Sequence, residues 1–173
     1  MTPEFSRIWQ AAEIGEQPRD VTLEANAEER AALARRFAIP DIALLTASAR
    51  LQRRADGIHA EGRLSARVTQ SCVATGDPVK AKVDEPFALR FVEDMSPEGD
   101  EIELDADDCD TIEMDDGGAI DLGEAVAETL ALALDPWPRA PHADQALSAA
   151  GISDGSDVGP FAALKALKGK SGS

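Results

Sequence analysis

Tyrosine is absent from this 173-residue chain, and aromatic residues together make up 4% of it. Any core must therefore be built mainly from Ala, Leu, Val and Ile. Cysteine is nearly as scarce: Cys72 and Cys109 are the two present, too few for a disulfide framework, and they read as reduced cytosolic thiols. Without a C-x-x-C or H-x₃-H pair they do not form a zinc motif. The two histidines, His59 and His142, do not stand at catalytic spacing from Cys, Ser or Asp. There is no phosphate-cradling glycine loop and no dinucleotide fingerprint. The acidic run Asp105 to Asp110 lacks the fifth, sixth and twelfth residues of a calcium loop. The expectation is a protein that is not an enzyme and carries no metal or other cofactor. No apolar run approaches the roughly 20 residues of a membrane helix. MTPEFSRIWQ is not a secretory signal, so a cytoplasmic protein without a membrane partner is expected.

Positive charge is missing from one long stretch. Residues 1–92 hold 13 Lys and Arg against 13 Asp and Glu, whereas residues 93–173 hold 4 against 20. The second half thus supplies the whole net charge of −16, and Glu93 to Glu128 contains 16 acids with no Lys or Arg. Phosphate affinity comes from cations, so a nucleic acid would have to be met by the first half alone. The acidic half suits a basic protein partner.

What is present is a globular chain, 43% hydrophobic, long enough for one domain with a core. The clearest helix spans 121–134. Asp121 can cap it and Glu124 completes a capping-box-like pair; Leu122, Val126, Leu130 and Leu134 make an apolar stripe, and Asp135-Pro136-Trp137-Pro138 stops it. A second helix, 26–38, opens on Asn26 and Glu29. Ala27, Ala31 and Ala34 form its apolar line with Leu33 and Phe37, and Arg30, Arg35 and Arg36 face water. Residues 5–14 alternate loosely as a strand or short amphipathic segment, and Val21-Thr22-Leu23 reads as a strand.

Between the helices lies a hairpin, 42–72. With Asp56-Gly57 as a two-residue type I′ loop, Leu45/Val68, Ala47/Ala66, Ala49/Leu64 and Leu51/Gly62 share an apolar face. Thr46/Arg67, Ser48/Ser65, Arg50/Arg63, Gln52/Glu61 and Arg54/His59 share the wet one. A turn at 75–78 leads to strands 79–83 and 87–91, with a bulge or edge position expected at Asp84-Glu85-Pro86. Phe87, Leu89 and Phe91 read as core and not as a stacking platform. Ile102/Leu104 and Ile112/Met114 are candidate edge strands within the acidic connection 93–118. The whole reads as α+β: an antiparallel sheet, open or barrel-like, packed with two principal helices. Residues 1–141 form the single domain, and 142–173 a flexible tail with a short basic amphipathic end. Arg50, Arg53, Arg54, Arg63 and Arg67 make the one concentrated positive patch; they are the candidate phosphate contacts, the alternative being a solvated strand face relieved by Glu61 or by the acidic segment.

The segment Val68 to Val79, VTQSCVATGDPV, with Ile120 to Glu124, IDLGE, and Leu132 to Arg139, LALDPWPR, resembles the large ribosomal RNA subunit accumulation protein family, YceD-like, in its alphaproteobacterial form. The matching residues include Cys72, Pro78, Asp121, Leu122, Glu124, Pro136 and Pro138, which are structural and not active-site positions. Many relatives carry a second cysteine where this chain has Thr75. The resemblance implies a bacterial, non-enzymatic factor for accumulation of large-subunit (23S) ribosomal RNA, with that RNA or its precursor as partner. The alternative is an acidic adaptor or chaperone that holds a basic ribosomal protein and never touches RNA.

Overall fold

A computed structural model of the chain describes residues 3–93, 109–115 and 117–152. The chain divides into two compact units, residues 1–70 with 80–136 and residues 71–79 with 137–173. The expected pair Ile102/Leu104 and the basic end from Phe161 lie outside the described residues.

The first unit runs β1 (Ile8–Gln10), a 3₁₀ turn (Ala11–Glu13), β2 (Arg19–Glu24), α1 (Ala27–Arg36), β3 (Asp41–Arg54), β4 (Gly57–Ser71), β5 (Pro78–Val92), β6 (Asp110–Glu113), β7 (Ala119–Asp121) and α2 (Leu122–Ala133). Strands β2 to β6 form one sheet in that order, and β1 pairs with β7 in a separate ribbon. The fold is α+β, and the sheet is open, not barrel-like. It is also not wholly antiparallel, because β6 pairs parallel to β5.

The long hairpin β3–β4 forms, with its register displaced by two residues. Leu45 lies opposite Ala66, Ala47 opposite Leu64, Ala49 opposite Gly62 and Leu51 opposite Ala60. The loop is Ala55-Asp56, neither residue takes positive φ, and Gly57 (φ 138°) closes the turn as the first residue of β4. The type I′ expectation therefore fails, since that turn requires positive φ at both central residues. A shift of two leaves every side chain on its expected face, because the side-chain period of a strand is two.

That face carries the core. Leu45, Leu51, Leu64 and Phe91 of the sheet are fully or almost fully buried, as are Phe5, Leu33 of α1 and Leu122, Val126 and Leu130 of α2. Each such side chain contributes about 1.5–3 kcal/mol of transfer free energy. Asp121 caps α2 by accepting from the amides of Gly123 at 3.0 Å and Glu124 at 3.2 Å. Glu124 does not return the bond expected of a capping box; it pairs with Arg36 of α1 at 2.6 Å, which holds the two helices together. On α1 the capping box is complete: the Glu29 amide donates to Asn26 and the Asn26 amide to Glu29. Its buried side is Leu33 and Ala34, with Ala27 and Ala31 exposed. Arg30 does not face water, since its guanidinium donates to the carbonyls of Ile42 and Ala25.

Strand β5 passes through Asp84-Glu85-Pro86 unbroken. The position is an edge: β6 covers only Leu89–Val92, so among the described residues nothing pairs with the outer side of Pro86.

In the second unit the chain after Pro141, expected as linker, begins with helix α3 (Ala143–Ala149). Cys72, Ala140 and Ala143 form a small buried cluster of their own.

Candidate nucleic-acid interface

Among the described residues of the first unit no helix lies on the face of the sheet turned away from the core, and alternation decides what that face displays. From β2 come Asp20, Thr22 and Glu24; from β3, Thr46, Ser48, Arg50 and Arg54; from β4, Glu61, Arg63, Ser65, Arg67 and Thr69; from β5, Lys80, Lys82 and Asp84. Several charges are already matched. Arg50 pairs with Asp20 at 2.9 Å, both well exposed, and Arg54 with Glu61 at 2.8 Å. Lys82 meets Asp84 at 2.7 Å. Lys82, followed by Ser65, holds the Asp84 carboxyl below its usual range. Arg63 donates only to the Asp84 backbone carbonyl, at 3.4 Å.

Towards the far end of the hairpin a groove of about 580 Å³ is lined by Asp41, Arg67, Thr69, Lys80 and Lys82. Among the described residues neither Arg67 nor Lys80 has an ion pair. Among the described residues Arg63, Arg67 and Lys80 are thus the cations of this face without an ion pair, in a region where three strands also supply hydroxyl groups.

Of the five arginines singled out from the sequence, Arg63 and Arg67 stand on this face without an ion pair among the described residues, although the charge of Arg63 also helps to hold the Asp84 carboxyl low, while Arg50 and Arg54 stand there paired. Arg53 is elsewhere: its guanidinium donates to the carbonyls of Ile14, at 3.0 Å, and of Ala11. Arg50 faces Glu61 across the hairpin and Arg63 faces Ser48, so the like-charge opposition expected of Arg50 and Arg63 does not arise. His59, expected at the surface, is buried between Arg54 and Asp56. A guanidinium only donates, so His59 Nδ1 accepts from Arg54 and its Nε2–H is directed to Asp56. That bond is the main reason the Asp56 carboxyl is held low. Lys80 and Lys82 were not among the sequence candidates. The Lys-x-Lys alternation in VKAKV was their signal, once carried across the turn from β4.

The motif residues form joints. Ile120 and Leu122 are buried, Asp121 caps α2 and also accepts from the Arg7 amide at 2.7 Å, and Glu124 holds Arg36. Gly123 lies so close to the backbone of Phe5 and Arg7 that a Cβ there would meet the Phe5 carbonyl oxygen at 2.6 Å. Pro136 follows Asp135, whose carbonyl accepts from Gln70 at 2.8 Å. In the second unit Pro78 opens β5, and the Pro138 carbonyl accepts from Val73 at 2.9 Å. The turn at 72–77 closes by Gly76 N–H donating to the Cys72 carbonyl. Cys72 Sγ accepts from the Ala140 amide at 3.3 Å. That amide first, then the Thr75 hydroxyl and nearby amides, bring the thiol down to about 7. His142, exposed, pairs with Asp77 at 2.9 Å.

Residues 60–168, well over half the chain, match the family described as large ribosomal RNA subunit accumulation protein YceD. The chain belongs to the YceD family. No curated protein and no solved structure matches it. Arg63, Arg67, Lys80 and Lys82 of this YceD family member fall inside the matched stretch, whereas Arg50, Arg53 and Arg54 precede it. No helix among the described residues is long and apolar enough to cross a membrane.

Proposed function

We propose that this protein is a cytoplasmic factor of ribosome biogenesis that supports accumulation of large-subunit ribosomal RNA by binding that RNA or its precursor, without catalysis. Membership of a family named for that accumulation supports the biological role. The observation that carries the contact is the outer sheet face, where among the described residues Arg63, Arg67 and Lys80 have no ion pair and Arg67 and Lys80 line the groove. Cations left unpaired on a protein of net charge −16 are the places where a polyanion can approach. The test is Arg63→Glu with Arg67→Glu, followed by gel-shift titration of large-subunit RNA fragments across salt concentrations, with circular dichroism as the check on folding. Retention should be lost with the fold intact. Unchanged retention by the folded variant rejects the assignment.

The second reading, an acidic adaptor for a basic ribosomal protein, is favoured by the 16 acids between Glu93 and Glu128. Under it, deleting 94–108 removes a partner protein from pull-downs, and nuclease treatment does not.

A further inference from the structure

We infer that the open sheet face grips the sugar-phosphate backbone of double-helical RNA and reads no bases; the inference rests on the RNA-contact reading above. Proteins that hold single strands stack bases on aromatic rings, at about 1–3 kcal/mol per base. Among the described residues this face carries no aromatic side chain. Phe87 and Phe91, on the strand nearest the groove, point into the core and are 8% and 2% exposed. The amide side chains that read base edges are also committed: Gln52 donates to the Glu16 carbonyl at 2.9 Å, and Gln70 is buried on the Asp135 carbonyl. What the face offers is cations and hydroxyls: Arg63, Arg67 and Lys80, with Thr46, Ser48, Ser65 and Thr69 around them. A duplex hides its bases in the stack and presents phosphates and 2′-hydroxyls, which this set can meet as point charges, donors and acceptors. The deep, narrow major groove of A-form RNA also keeps side chains on a flat sheet from reaching guanine edges.

The number of unmatched cations sets the strength. Arg50, Arg54 and Lys82 are held by Asp20, Glu61 and Asp84, so three phosphates are neutralised, by Arg63, Arg67 and Lys80. The logarithm of affinity should then fall with the logarithm of salt at a slope of about −3. Shape and charge, not sequence, would set the choice of RNA region.

The experiment is a fluorescence-anisotropy titration of the full chain against two RNA duplexes of unrelated sequence, each about two helical turns long, and against their separate strands. We expect the two duplexes to bind within about threefold of each other, each more tightly than its strands, with a slope of about −3. Arg63→Gln with Arg67→Gln and Lys80→Gln should bring the slope near zero, whereas Arg63→Lys with Arg67→Lys should keep binding, because a phosphate needs only the charge. A tenfold preference for one duplex, tighter binding of single strands, or a slope unmoved by the triple change overturns this inference and leaves RNA contact standing. Failure to bind any RNA overturns both.

Discussion

The guanidinium of Arg53 donates to the main-chain carbonyl of Ile14 at 3.0 Å, fastening the segment after β1 to the end of β3. A second nitrogen reaches the carbonyl of Ala11, and the amide of Arg53 donates to Gly15. This arginine therefore belongs to the frame and not to the RNA surface. Arg53→Ala should lower stability by about 1.5–3 kcal/mol, the range for hydrogen bonds to a charged group. Urea unfolding checks this, and RNA retention per folded molecule should stay at the parent value.

Gly123 is the point where α2 meets the chain around Phe5. A methyl group there meets backbone atoms, which cannot swing aside as a side chain would. Gly123→Ala should destabilise by about 1–3 kcal/mol despite alanine's better helix propensity, and a thermal melt should show a lower midpoint.

Helix α1 ends with Ala38 at φ 54°, with the Ile39 amide donating to Ala34 and the Ala38 amide to Arg35. This is the paired-bond helix stop that glycine normally serves, occupied by a residue whose Cβ opposes it. Ala38→Gly should raise stability by about 1 kcal/mol, seen as a higher melting temperature.

Cys72 supplies a pH dependence whose sign follows from its cradle. Its folded thiol is lowered to about 7, first by the Ala140 amide and then by Thr75, while an unfolded cysteine titrates near 8.5. The folded state therefore gains stability that is fully present above the unfolded value and is lost as pH falls through about 7. Melting curves between about pH 9 and pH 6 should show this decline. Cys72→Ala should remove it from that window, and Thr75→Ala should move its midpoint upward.

Much of the fold is legible in the chain because strand alternation has period two. Leu45, Ala47, Ala49 and Leu51 are buried whichever of two neighbouring loops closes the hairpin, so the faces survive a register displaced by two residues. The same parity marks Arg53 as core-side, since it continues that odd-numbered series. Its nearness in sequence to the turn arginines does not set its direction. The cation partners were harder to read. Asp20 meets Arg50 only because β2 pairs with β3 at that register, and no local pattern encodes the choice. The parallel placement of β6 depends on a long crossover, which periodicity within single segments does not constrain.

The portion of β5 that β6 leaves uncovered has a further consequence. Backbone groups along Pro78 to Ala88 would otherwise offer a template on which a second molecule could add its own strand, and growth of that kind ends in polymer. Lys80, Lys82, Asp84, Glu85 and the ring of Pro86 are concentrated along that stretch. Charge and a missing donor make such stacking costly, which lets the chain keep an exposed sheet while resisting fibre formation.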